Sequence, residues 1–426
     1  MTTDSSIQSL RNPHRWFVFG ILCAVYFFVY FHRVSTSAIA QELLETFATN
    51  ATALGVMSSM YFYAYALEQP LVGFLSDRLG PKLVVGVWTL IAAAGSIIFG
   101  MAPTIFWASV GRALIGLGVG GVFIPALKAF SEWFSIKEFT TLTGIFLAAG
   151  NLGAIVATTP LVWMSRTFGW RASFFIIAAV SLALALIIFF FIRDHSSRGN
   201  NYPAQYETKK EPAHTNRESV LHALSSFTFW GYGGILFLSV GTFITLQGLW
   251  ATPFLISAYG LDLTTASNLN MLIPIGLIVA SPFWGWIGNR FFRHKINLVI
   301  VTLIVMTIVW MILVTLSPML GTAGIIILML VMGATGGGAM TTLWSSLREI
   351  TPANILGVIS GLLNPFPLFG VAVFQGWTGS ILDSVGKTGG RYPADAFKNA
   401  FLLCLIATAV SVILAFAVRH CTPKNK

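Results

Sequence analysis

Long apolar runs separated by short polar loops organise almost the whole of this 426-residue chain. A helix needs about 20 apolar residues to cross a hydrocarbon core roughly 30 Å thick. Runs of that kind fall at 16–38, 52–75, 83–101, 105–132, 139–164, 171–192, 228–257, 264–288, 296–317, 321–347, 355–382 and 396–419. Twelve spans are therefore expected. They are too long, too numerous and too often punctuated by Gly and Pro for a transmembrane barrel, so backbone groups inside lipid must be satisfied within helices. The expected fold class is an all-α membrane protein. One polar stretch, Asp194 through Phe227, is too polar to bury a core and too long for a tight turn. It divides the chain into a six-helix bundle at 1–193, a cytoplasmic linker at 194–227 and a second six-helix bundle at 228–426.

Composition agrees with the pattern. Hydrophobic residues make up 56% of the chain and charged residues 9%, with a mean hydropathy of +0.79, values that exclude a soluble globular domain of this size. Orientation follows from the basic residues. With the N-terminus cytoplasmic, the inner side collects Arg11, Arg15, Arg78, Lys82, Lys128, Lys137, Arg193, Arg198, Lys209, Lys210, Arg217, Arg290, Arg293, Lys295, Arg348, Arg419, Lys424 and Lys426, and the outer side keeps Arg166, Arg171, Lys387, Arg391 and Lys398. That asymmetry satisfies the positive-inside rule and expects both termini in the cytoplasm of a bacterial inner membrane. The net charge of +10 then reflects attraction to an anionic leaflet and gives no support to nucleic-acid binding. Cys23, Cys404 and Cys421 have no metal or redox spacing, and no metal or cofactor is expected. The first apolar run has no small-residue cleavage pattern and is read as a first helix rather than a signal peptide.

Between the second and third runs lies Gly73-Phe74-Leu75-Ser76-Asp77-Arg78-Leu79-Gly80-Pro81-Lys82. Charge in so short a connection belongs to a hairpin outside the hydrocarbon. The pattern Gly-x-Leu-[Ala/Ser]-Asp-Arg-x-Gly-x-[Lys/Arg], with Gly73, Asp77, Arg78 and Gly80 at its defining positions, resembles the loop signature of the major facilitator superfamily. Membership implies two pseudo-symmetric six-helix bundles, no enzymatic activity, and alternating access to a midplane site. It also implies that Asp77 contacts the helix-4 to helix-5 region and Arg78. The halves look alike as well. Gly116, Gly118, Gly120 and Gly121 recur as Gly333, Gly336, Gly337 and Gly338, and the loop motif has a faded counterpart in Gly285-Trp286-Ile287-Gly288-Asn289-Arg290. Such repetition marks transporters built from paired bundles. The glycines read first as close helix packing and second as seams that slide during rocking. Arg112 resembles the Arg of the superfamily's helix-4 motif. The helix-5 Gly-Pro signature of drug-proton antiporters is missing, and Gly150-Asn151-Leu152-Gly153 there looks more like solute and anion transporters.

Ionisable residues deep in the hydrocarbon are Arg33, Glu68 and Arg112, with His32 beside the first. Intramembrane charges must face a cavity or a partner, so each is a site candidate. Arg33 lies about 25 Å along the first helix at 1.5 Å per residue, and Glu68 about 13 Å from the motif end of the second. Tyr26, Tyr30, Arg33 and Ser37 share one helical face, and Tyr61, Tyr65 and Glu68 share another. One cationic and one anionic stripe are expected to line the same cavity.

Around Arg33 the stretch Tyr30-Phe31-His32-Arg33-Val34-Ser35 resembles helix 1 of the organophosphate and organic-anion branch, where the Arg binds the substrate's anionic group. Its planar fork suits a carboxylate or phosphate. That branch's second Arg, on helix 7, is absent from Phe243–Trp250, which leaves singly charged anions in better standing than doubly charged phosphate esters. Glu68 has two readings. It is either neutralised by Arg33 or Arg112, or it carries a proton as the cavity opens and closes, with Arg112 assisting. Together with Arg33 it also suits a zwitterion. In the second half the expected lining is uncharged: Gln247, Trp250 and Asn364, with Phe243, Phe254, Asn270, Trp344 and Gln375 nearby. The functional expectation is a monomeric, proton-coupled secondary transporter for a small organic anion or zwitterion. The alternatives are a drug or siderophore exporter, disfavoured by the missing helix-5 signature, and a non-transporting sensor, disfavoured by tails too short for an output domain. No nucleophile-base pair, phosphate loop or metal cluster points to an enzyme.

Overall fold

The computed structural model describes residues 14–192, 221 and 223–421. Most of the expected linker (194–220 and 222), and with it Arg11, Arg193, Arg198, Lys209, Lys210, Arg217, Lys424 and Lys426, lies outside the described residues. Among those described, β structure is limited to an isolated bridge between Thr388 and Arg391. The helices are α1 (His14–Thr46), α2 (Ala51–Leu79), α3 (Pro81–Met101) and α4 (Ile105–Trp133), followed by α5, a bent pair of Ile136–Val156 and Thr159–Phe168, and α6 (Trp170–Phe191). They continue as α7 (Phe227–Tyr259), α8 (Leu263–Phe291), α9 (Lys295–Thr315), α10 (Thr322–Ile350), α11 (Ile355–Val385) and α12 (Ala394–Cys421). Each of the twelve expected runs corresponds to one of these. Ten are long and apolar enough to cross a membrane, and the two pieces of α5, 45° apart, make an eleventh. α2 has the length, 29 residues, but carries Glu68, Gln69, Asp77 and Arg78.

Local chemistry sets the boundaries. Asn50 caps α2 by accepting from the Ala53 N–H at 2.9 Å. Between α2 and α3 the chain reverses at Gly80, whose φ of +83° suits glycine, and Pro81 then opens α3. Ser135 and Glu138 form a reciprocal capping box on α5, and Glu138 also pairs with Arg15 of α1 at 3.2 Å. The Glu138 carboxyl is held below its ordinary value, first by the Ser135 backbone N–H. Within α7, two stretches, Leu236–Val240 and Leu246–Trp250, widen into π-helix, a distortion that apolar patterning does not reveal.

Glycine seams hold the helices together. A Cβ on Gly111 would come within 2.7 Å of the Phe99 backbone of α3, and Gly116 and Gly118 abut the backbones of Tyr61 on α2 and Ala92 on α3. On the other side of the repeat, Gly333 of α10 abuts the Ile273 backbone of α8. Packing, rather than a hydrophobic effect between helices, drives association in lipid, so these positions read as structural. Large apolar side chains such as Leu67, Phe190, Val279 and Ile413 are exposed on the outer surface, as expected where the solvent is lipid.

Links between the first six helices and the last six cluster at the end opposite the 73–82 motif. There Ser37 donates to Thr252 at 3.3 Å, Asn270 donates to Ser37 at 3.2 Å, and Ser59 donates to the Ala372 carbonyl at 2.6 Å. Arg166 donates to Thr264, and Thr159 to Asn268. Asp383, in the last turn of α11, caps the start of α2: its carboxylate accepts from Ala51 N–H at 3.0 Å, Thr52 N–H at 2.8 Å, and the hydroxyls of Thr52 and Tyr392. At the motif end, Asn364 donates to Gln69 at 3.1 Å. Contacts of acidic side chains there stay within each set of six: Asp77 pairs with Lys128 at 3.0 Å, and Glu349 lies against the His294 ring nitrogen at 3.4 Å.

Candidate functional site

The middle of α1 carries the site. The Arg33 guanidinium lies 4.3 Å from the Tyr30 ring centre and within electrostatic reach of Tyr26, Tyr61 and Tyr65. Spacing of three and four residues on α1 and of four on α2 brings these phenols together, as the two expected stripes require. Around them, the Tyr61 hydroxyl donates to the Val29 carbonyl at 2.8 Å, and Tyr26 stacks on Phe146 with ring centres 4.0 Å apart. Gly150 of α5 lies against the Tyr26 and Tyr30 rings, where a Cβ would come within 2.7 Å. Arg33 forms no ion pair among the described residues, and its Nε has no hydrogen-bond partner there. An aromatic cage supports a guanidinium through cation–π contact; one Arg33 N–H is shared with the Tyr61 hydroxyl, and the unpartnered Nε keeps an in-plane N–H for a carboxylate.

Arg112, fully buried on α4, donates to the His32 carbonyl at 2.9 Å and lies 4.8 Å from the Tyr61 ring centre. It thereby ties α4 to both α1 and α2. The pairing of Glu68 with Arg33 or Arg112 does not occur. Glu68 instead turns toward α3 and α4, where its Oε2 accepts from the Trp88 indole N–H at 2.7 Å. Its Oε1 lies against Gly120, without a partner among the described residues. The reason is helical geometry: Gln69, one residue on, is the one that faces the other half and accepts from Asn364. The two stripes therefore share phenols, with Tyr65 in reach of both Arg33 and Glu68, while their charges point apart.

Other expected site residues are distributed unevenly. Asn151 sends its amide to its own helix, donating to the Leu147 carbonyl at 2.9 Å. Gln247 is buried, and its backbone carbonyl accepts from Asn270 at 3.3 Å. Trp250 is fully enclosed, donating to Thr378 at 2.7 Å and packing on Phe397 at 6.3 Å, so here it fills space between α7, α11 and α12. Asn364 sits on the seam with Gln69. In the loop motif, Asp77 reaches Lys128 of α4 as expected, whereas the Asp77–Arg78 contact is absent: Arg78 lies over the Phe74 ring, 4.2 Å from its centre. Adjacent residues on one helix end project apart, which leaves Arg78 free to stack on the side chain one turn back. A Cβ on Gly73 would meet nothing within 4 Å.

Sequence reasoning missed Trp88 as the partner of Glu68 and Asp383 as the cap of α2, and it placed the contact of Asp77 in the helix-4 to helix-5 region without singling out Lys128. It also missed the close crossing of α1 and α7, where a Cβ on Gly248 would sit 2.9 Å from the Arg33 carbonyl oxygen. A glycine inside an apolar run was the only signal of that crossing.

Comparison with known proteins agrees with this architecture. A "Probable sulfoacetate transporter SauU" of Cupriavidus necator is 27% identical over 303 residues, covering 68% of this chain and 68% of that protein. The hexuronate transporter of Escherichia coli K12 is 25% identical over 395 residues, covering 87% and 88%. Among solved structures, a bacterial homolog of the human lysosomal transporter Spinster superposes with a TM-score of 0.78 at 17% identity, over 96% of this chain and 98% of that one. The family model described as Major Facilitator Superfamily matches residues 22–374, and the chain belongs to that superfamily of non-enzymatic, multi-pass membrane transporters.

Proposed function

We propose that this protein is a secondary active transporter of a small organic anion, and that Arg33 grips the anionic group. The observation that carries the reading is a guanidinium in the middle of the first helix, caged by tyrosines and without a carboxylate partner among the described residues. A charge at that depth is expensive unless something pairs with it, and a substrate anion would complete the pair once per cycle. Names of the relatives, transporters of sulfoacetate, hexuronate and galacturonate, point to the same chemistry. A zwitterion draws less support, because Glu68 faces Trp88 and not the Arg33 cage.

In this reading residues 1–193 and 228–426 work as two six-helix units joined by the cytoplasmic linker, with both termini inside a bacterial inner membrane. The cluster of links at the end opposite the motif then makes this an inward-facing arrangement, sealed on the outer side. Transport is coupled to protons through Glu68, whose single indole donor gives a buried carboxylate little of the compensation that a charge needs. Counterflow of labelled organic anions into proteoliposomes tests the reading: exchange of carboxylates or sulfonates supports it, and exchange of neutral or cationic solutes alone overturns it.

A further inference from the structure

We infer that Gln375 of α11 reads a hydroxyl group on the transported anion, so that the site selects hydroxylated organic acids over their deoxy counterparts; this rests on the organic-anion reading of Arg33. Gln375 is fully buried, and both its amide nitrogen and its amide oxygen lack a hydrogen-bond partner among the described residues. Neighbouring polar side chains on the same seam each make at least one bond, although the Asn270 amide oxygen is also unpartnered among the described residues. Ser37, Thr252 and Asn270 bond to one another, Ser59 donates to the Ala372 carbonyl, and Thr378 accepts from Trp250. Leaving a buried donor and a buried acceptor both unpaired is costly, and an apolar side chain of the same shape would avoid that cost. An amide kept there points to a partner that arrives and leaves.

Position identifies that partner. The Gln375 backbone is fixed against Gly55 of α2, where a Cβ would overlap its carbonyl. Its Nε2 lies 3.9 Å from the point that a Gly248 Cβ would occupy, and that same point is 2.9 Å from the Arg33 carbonyl oxygen. The amide thus stands where α1, α2, α7 and α11 meet, beside the residue that carries the guanidinium. Gly248 is the position that keeps this junction free of a side chain. A primary amide both donates and accepts, and a hydroxyl is the small group that does the same. Arg33 would take the anionic end of the substrate, and Gln375 a hydroxyl close to it.

The test measures ligand-induced thermal shifts and inhibition of counterflow for matched pairs: glycolate against acetate, glycerate against propionate, and gluconate against hexanoate. Wild-type protein should prefer the hydroxylated member of at least one pair by about tenfold or more. Gln375→Met, similar in length but unable to make these bonds, should bring that ratio close to one by weakening the hydroxylated member alone. Its ligand-free Tm should be equal to or above wild type, because the unpaired amide is gone. Gln375→Leu takes its place if the Met variant does not fold. A preference that survives in the variant, or an equal loss for both members, overturns the inference and assigns Gln375 to packing. Wild-type binding of carboxylates with no preference for hydroxyls also overturns it and leaves the organic-anion reading standing. Binding of no organic anion at all, carboxylate or sulfonate, overturns both.

Discussion

Removing the Asp383 carboxylate should open the end of the transporter opposite the loop motif. In Asp383→Ala, α2 loses acceptors for two backbone N–H groups, at Ala51 (3.0 Å) and Thr52 (2.8 Å), and the Thr52 and Tyr392 hydroxyls lose theirs. The Ala51 N–H keeps the Tyr392 hydroxyl as an acceptor at 2.8 Å. Hydrogen bonds to a charged group are worth about 1.5–3 kcal/mol each when buried, and a carboxylate at a helix N-terminus adds roughly 0.3–1 kcal/mol. Asp383 is only half-buried, and water replaces its partners when the seal opens. A net shift of about 2–3 kcal/mol toward the open state remains, or about 30- to 150-fold in population. Thiol labelling reads that population. Ser37 is buried at the seal beside Thr252 and Asn270, so Ser37→Cys, with the three native cysteines replaced, reacts with an impermeant reagent in proportion to the open fraction. While the open state stays the minor one, the labelling rate should rise by that same factor in Asp383→Ala. A change of less than about threefold would refute the claim that this cap holds the seal.

Three further outcomes are expected. Glu68→Gln should abolish uptake driven by a pH gradient yet permit equilibrium exchange of substrate, measured side by side in proteoliposomes; loss of both with a lowered Tm would return Glu68 to a purely structural partner of Trp88. Asp77→Asn should cut transport while shifting Tm little, because the Asp77–Lys128 pair has a 79% exposed carboxylate and such pairs contribute about 0–1 kcal/mol; normal transport would show that the motif acid is dispensable. Glu138→Gln keeps an acceptor for the α5 capping box but removes the charge at the helix N-terminus and its pair with Arg15, and should cost about 0.3–1 kcal/mol. Because the native Glu138 carboxyl is held below its ordinary value of 4.5, the wild-type advantage should be complete above that value and vanish as pH falls through the lowered one. An advantage that does not change with pH in denaturation curves would count against the cap.

The helices were readable because lipid leaves one solution for the backbone: twelve apolar runs had to become helices, and the glycines at 116, 118 and 333 had to be contacts. The Arg33 cage was readable too, since Tyr30 and Arg33 sit on one helix and their shared face follows from spacing. Partners from different helices were not. Nothing local to Glu68 says whether it faces Arg33 or Trp88, because a rotation of one residue, about 100°, exchanges Glu68 for Gln69 toward the other half. The same gap hid Asp383 from α2, more than 300 residues away in the chain, and hid the π-helical widening of α7 that carries Gly248 to Arg33.

The central claim is that Arg33 is the anion-binding group, and binding to purified variants tests it most directly. With an organic anion that stabilises the wild-type protein, the ligand-induced rise in Tm should survive weakly in Arg33→Lys, which keeps the charge without the planar fork. It should disappear in Arg33→Gln, while the ligand-free Tm of both variants stays near that of wild type. An undiminished ligand-induced shift in Arg33→Gln would contradict the account and assign Arg33 to structure.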